Sequence, residues 1–119
     1  MSNYADSRDR HILLAPMDGR IIPLDQVPDE VFSMKMLGDG ALGARTAYLS
    51  RPYADDPTTR GICVFTQEVF DEMIGYANQN SMQVAVHCIG DACLDMVLHS
   101  IAKALAEQPR KDHRHGIVH

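Results

Sequence analysis

The sequence predicts an α/β fold with parallel strands, on three observations. Short apolar runs at residues 31–37 and 82–87 and the start of another at 113–119 have strand character. Two stretches between them carry apolar residues at helical spacing, and the resulting order is strand, helix, strand, helix, strand. Strands that alternate with helices pair in parallel through right-handed crossovers.

Residues 1–30 form a first, poorly defined segment and residues 31–119 the folded part. Within the first segment, residues 11–15 and 20–24 are weak strand candidates interrupted by Pro16, Asp18-Gly19, Pro23 and Pro28. The run at 31–37 is mostly apolar, carries one charge at Lys35, and stops at Gly38-Asp39-Gly40. From 41 to 63 the pattern is irregular, with Pro52, Asp55-Asp56-Pro57 and Gly61, so a long loop is expected beside whatever site exists. Thr66 then caps a helix that buries Val69, Phe70, Met73, Ile74 and Ala77 and ends near Asn80. In the strand at 82–87, Met82, Val84 and Val86 face the helices while Gln83, Ala85 and His87 face away. Asp91 is the expected cap of a second helix over 92–107, with a stripe of Leu94, Val97, Leu98, Ile101 and Leu105 closed off by Pro109. The third strand begins near 113 and stops at His119, which suggests truncation.

Composition narrows the function. A chain of 119 residues with 45% hydrophobic residues builds one modest core. A net charge of −5, with eleven Lys and Arg scattered among sixteen Asp and Glu, gives no basic patch for nucleic acid. No apolar stretch approaches the roughly 18 residues of a membrane span, so no membrane partner is expected. Cys63, Cys88 and Cys93 lack CxxC spacing and the polar amino terminus is no signal peptide. These features point to the cytoplasm, with the cysteines as small buried hydrophobes.

Three polar groups, Lys35, His87 and His119, fall toward the carboxyl ends of the expected strands, where α/β sheets and barrels assemble their sites. Taken alone, His87 fits a core or surface histidine as well as a ligand, and His119 fits a loose terminus. An ordinary lysine ammonium has no lone pair to offer a cation, so Lys35 reads as a snorkelling side chain unless its amine is modified. Carboxylation by carbon dioxide would make it an anionic carbamate able to bridge two divalent ions. His11, His99, His113 and His115 read as surface groups.

The motifs Lys35-Met36-Leu37-Gly38-Asp39-Gly40-Ala41-Leu42-Gly43-Ala44-Arg45-Thr46-Ala47, Pro52-Tyr53, His87-Cys88-Ile89-Gly90-Asp91 and residues 114–119 follow one another in an order and spacing that resemble the amidohydrolase superfamily. The likeness is to its third family, with formamide-deformylase-like and exoenzyme-regulatory-like proteins. It implies part of a (β/α)8 barrel, with Lys35, His87 and His119 on strands four, five and six. It further implies Lys35 as a carboxylated bridging ligand, His87 and His119 on a second ion, and one or two divalent metals, zinc foremost. Asp39 and Arg45 would lie in the loop bordering a small amide-like substrate, and the reaction would be hydrolysis of an amide or other C–N bond by metal-activated water. Two family features, a His-x-His pair on the first strand and an aspartate on the eighth, have no counterpart in these residues, and Gly116 and Val118 stand where many relatives have Arg and Glu. Two further readings compete with the enzyme one: a catalytically incomplete piece acting as a folded or homo-oligomerising unit, and a free-standing α/β binding domain whose histidines are incidental.

Overall fold

A strand buries one face when every second residue is apolar, and β1 (Ser33–Leu37) and β2 (Gln83–His87) both follow that rule. In the computed structural model, which describes residues 33–119, Met36, Val84 and Val86 are buried and Met34 packs beside them. Expectations for residues 1–32 lie outside the described residues.

The described chain runs β1, α1 (Gln67–Gln79), β2, α2 (Asp91–Glu107) and β3 (Gly116–Val118). The three strands form one parallel sheet in the order β1-β2-β3. The α/β class is therefore as expected. The third strand is shorter than expected, three residues within the run at 113–119.

Both helices cover the Met36, Val84 and Val86 face. From α1, Phe70, Ile74 and Ala77 are fully buried, and Thr66 caps the helix by accepting from the Val69 amide at 3.4 Å. Each fully buried side chain the size of Val84, Val86, Phe70, Ile74 or Val97 contributes about 1.5–3 kcal/mol.

The buried face of α2 is Cys93, Val97, Ser100 and Ala104; of the expected stripe Val97 is fully buried, Leu94, Ile101 and Leu105 are half-buried, and Leu98 faces outward. Leu98 is 48% exposed. The helix is rotated because Ser100 has a polar partner on α1 that no periodicity reveals. Ser100 Oγ donates to Asp71 Oδ1 at 2.6 Å, Gln67 Nε2 reaches Ser100 Oγ at 2.8 Å and the Met96 carbonyl at 3.0 Å, and Lys103 Nζ meets Asp71 Oδ2 at 2.9 Å. The Ser100 hydroxyl, followed by Lys103, holds the Asp71 carboxyl down to about 2.

A second polar group closes the opposite end of the sheet, where the strands begin. Asn78 is fully buried, and its amide donates to the Ala104 carbonyl at 3.1 Å and the Gln108 carbonyl at 2.9 Å. Its Oδ1 accepts from His115 Nε2 at 3.0 Å, while His115 Nδ1 accepts from the Val84 amide at 3.1 Å. Arg110 Nη1 reaches the Met82 carbonyl at 2.9 Å. His115 is thus a structural joint between β2, α1 and the entry to β3, which corrects its expected place as a surface group. The amide that donates to Nδ1 leaves no room for a second proton, so the ring is neutral. Desolvation first, then the charges of His113 and Arg110, push its pKa from 6.5 to about 4.

That shift has a definite sign. The unfolded chain takes up a proton on this imidazole below pH 6.5, and the folded chain resists it until about 4. Stability from this group is full above 6.5, falls as the pH drops through that window, and levels off below it. Urea unfolding of the wild type should show this decline, and the difference between wild type and His115→Gln should narrow as the pH falls from 7 to 4. A difference independent of pH in that range would remove His115 as the cause.

Candidate metal and substrate site

The parallel register fixes where the candidate ligands stand. Leu37, His87 and Val118 form one row across the sheet, and Lys35, Ala85 and Gly116, two residues earlier, form the previous row on the same face. Lys35 and His87 share the face opposite the helices, and His87 is on the central strand. Lys35 lies two residues short of the end of β1, so its Cα is one row, about 7 Å, below that of His87. His119 directly follows β3 and is exposed. The three segments are neighbouring parallel strands or their immediate continuation. On this face Leu37 is 56% exposed and Val118 40%.

His87 is held in one tautomer. Its Nε2 lies 3.1 Å from the Gly40 carbonyl oxygen, which can only accept, so Nε2 carries the proton and Nδ1 keeps a free lone pair. Metal-binding histidines commonly spend their second ring nitrogen in this way. Among the described residues, no three His, Cys, Asp or Glu side chains converge as a metal-holding group. The expected donors are His87, His119 and Lys35, and the Lys35 amine ligates only after modification or loss of its proton.

Asp39 organises the loops at this end. It is fully buried, and its carboxylate accepts from the Tyr48 amide at 2.8 Å, the Ile89 amide at 2.9 Å and the Gly90 amide at 2.7 Å. One side chain thereby joins the β1–α1 loop to the β2–α2 turn. Two glycines make the close approach possible. A Cβ on Gly90 would lie 1.8 Å from the Tyr48 carbonyl oxygen, and one on Gly38 would lie 2.7 Å from Cys93 Sγ. The Gly38 amide also donates to the His87 carbonyl at 2.9 Å, extending the β1–β2 pairing by a step.

Asp91 is the first residue of α2 and not its cap; the cap is Gly90, with no side-chain bond. The Asp91 carboxylate reaches instead into the β1–α1 loop, where it accepts from the Ser50 amide at 2.8 Å and from the Ser50 hydroxyl. These two Ser50 donors hold its pKa below the usual carboxylate range.

Arg45 is at the exposed tip of the same loop, with φ at 53°, and its Nε and Nη2 meet Asp55 Oδ2 at 3.2 and 2.9 Å. The Asp55 partner raises the guanidinium pKa, and Arg45 lowers that of Asp55. Exposed pairs of this kind are screened by solvent and add little to stability. Between the same loop and the start of α2, a cleft of about 600 Å³ is lined by Leu42, Leu49, Ser50, Arg51, Pro52, Ile89 and Asp91, and not by Arg45. The expected long loop thus lies at the carboxyl ends of the strands. No spacing in the sequence signals the Ser50–Asp91 contact or the cleft it helps to line.

The three cysteines are free. Cys93 is fully buried and its thiol donates to Cys88 Sγ at 3.4 Å, whereas Cys63 is only partly buried, between the Phe65 carbonyl and Met96. The Cys93 thiol lowers the pKa of Cys88, and its own is pushed up. Cys88 and Cys93 are the buried apolar groups expected; Cys63 is less enclosed.

Parallel strands with a histidine at the carboxyl end of the central one fit the class of α/β proteins that gather ligands at a sheet rim. Sequence comparison narrows the class: a model of the amidohydrolase family matches residues 21–119, and the chain belongs to that family. YtcJ of Bacillus subtilis (strain 168), an amidohydrolase by name, is 45% identical over 91 residues, 76% of this chain and 16% of its own length. The protein LONG AFTER FAR-RED 3 of Arabidopsis thaliana is 33% identical over 86 residues, 72% of this chain and 15% of its own. Crystal structures of uncharacterised metal-dependent hydrolases from Pyrococcus furiosus and Pyrococcus horikoshii OT3 superpose with TM-scores of 0.58 each, at 39% and 36% identity. They cover 74% and 73% of this chain, which spans 17% of each of them. The chain therefore corresponds to about one sixth of the length of these relatives.

The Asp39 contacts lead to a direct test. Asp39→Ala leaves three amides without their acceptor, that of Gly90 buried and those of Tyr48 and Ile89 partly buried, at about 1–3 kcal/mol for each. Denaturant unfolding should therefore show a loss of at least about 3 kcal/mol, with Asp39→Asn intermediate because one carboxamide oxygen can still accept. A loss for Asp39→Ala below about 1 kcal/mol would show that the loops hold together without this carboxylate.

Proposed function

We propose that this chain forms part of a (β/α)8 barrel hydrolase that cleaves an amide or other C–N bond in a small molecule, with Lys35, His87 and His119 as its share of the metal ligands. The observation that carries this is the register: His87, on the central strand, stands between the strand bearing Lys35 and the strand leading to His119. Family membership and the metal-dependent hydrolase neighbours support it.

The residues present fit a divalent ion on the chemistry of one donor in particular. His87 offers Nδ1 while Gly40 fixes the ring from the other side. Imidazole nitrogens suit zinc, and a carboxylated Lys35 would add anionic oxygens. A bound divalent ion would supply Lewis-acid polarisation of the substrate carbonyl and a lowered pKa for the attacking water. What the chain itself contributes is orientation: Asp39 acts through the loop it pins, and Arg45 borders the substrate approach, where an anionic substrate group would compete with Asp55 for its guanidinium. The three free cysteines fit a reducing compartment such as the cytoplasm. No helix among the described residues is long and apolar enough to cross a membrane.

A second reading draws on one observation. Among the described residues β1 and β3 each pair on one side only, so both present an edge to which another strand can add, from the rest of a longer barrel or from a second copy.

Two measurements decide the first reading. Titration with Zn²⁺ should show binding that His87→Ala weakens at least tenfold, the low end of what loss of a directly coordinating group is expected to cost relative to outer-shell partners. In ¹³C-bicarbonate, a carbamate carbon signal should appear with wild type and vanish in Lys35→Ala. Zinc binding indifferent to both His87→Ala and His119→Ala would overturn the ligand assignment. Light scattering that shows a stable metal-free oligomer would favour the second.

A further inference from the structure

We propose that Cys88 and Cys93 are a peroxide-sensitive pair that closes to a disulfide across the β2–α2 turn. Three features of the fold carry this. The two sulfurs are 3.4 Å apart with the Cys93 thiol directed at Cys88, so bonding requires an approach of about 1.4 Å to reach the ordinary S–S length. Gly38 packs against both sulfurs: a Cβ there would lie 2.7 Å from Cys93 Sγ and 3.3 Å from Cys88 Sγ, so the missing side chain is what lets β1 pass over the pair. The two cysteines differ in access, since Cys88 retains 8% exposure and Cys93 none.

The difference in access orders the chemistry. The Cys88 sulfur attacks a peroxide oxygen; an S–O bond forms, the O–O bond breaks, and the departing hydroxide takes the Cys88 proton and leaves as water. The Cys93 sulfur then displaces the hydroxyl from Cys88, forming the S–S bond, and its proton leaves with that hydroxyl as water. Two thiols are oxidised to one disulfide and one hydrogen peroxide is reduced to two waters. The bond would tie the residue that follows His87 to the first turn of α2, inside the turn that Asp39 holds through Ile89 and Gly90.

Mass spectrometry of the intact chain treated with hydrogen peroxide tests this. The expected product has lost two hydrogens, maps to a Cys88–Cys93 cross-link, and returns to the free thiols with dithiothreitol. Cys63→Ser should give the same product, and Cys93→Ala should stop at a Cys88 sulfenic acid trapped by dimedone. In ¹⁵N spectra of the wild type, the amides of residues 87–93 should shift on oxidation and recover on reduction. A cross-link through Cys63, a sulfinic acid at Cys88 with Cys93 still open to alkylation after unfolding, or no oxidation at either sulfur would each overturn the proposal.

Discussion

The arrangement of the strand ends depends on one buried carboxylate. Asp39 has no exposed surface, and an ionised group in that position persists only if hydrogen bonds replace its water. Three backbone amides do so, from Tyr48, Ile89 and Gly90. Because those amides belong to two different loops, satisfying the charge and joining the loops are the same event. The consequences spread outward: Gly90 can lie against the Tyr48 carbonyl, the Cys93 amide can donate to that carbonyl at 3.3 Å, and the Gly40 carbonyl meets His87 Nε2.

The two ends of the sheet solve the same problem with different chemistry. Where the strands finish, a charge is surrounded by amides. Where they start, an uncharged amide side chain, Asn78, is surrounded by carbonyls, an imidazole and a guanidinium. Between them the apolar contacts of Phe70, Ile74, Val84, Val86 and Val97 supply most of the burial. They are not directional, however, and would tolerate α2 in a different rotation. The Gln67, Asp71, Ser100 and Lys103 cluster selects one rotation, since only that one brings Ser100 beneath Asp71.

Much of the fold was legible because alternation and helical spacing are local. Val84 and Val86 against Ala85 and His87 assign the faces of β2, and Thr66 before Gln67 marks the start of α1, without knowledge of any neighbour. The order of the candidate ligands along parallel strands was legible for the same reason. What was not legible depends on contacts between distant residues. Leu98 looked like a core residue until Ser100 found Asp71, His115 looked superficial until Asn78 lay beside it, and Asp91 looked like a cap although its oxygens serve Ser50, 41 positions earlier. The fixed tautomer of His87 belongs to the same group, since the carbonyl that sets it comes from residue 40.

The contact between His87 and Gly40 ties the ring to the loop. An incoming group that takes Nδ1 leaves that contact in place, while one that demands Nε2 must first displace the Gly40 carbonyl. The two ring nitrogens are therefore unequal handles: one is reached without disturbing the loop backbone, the other only with the loss of a hydrogen bond.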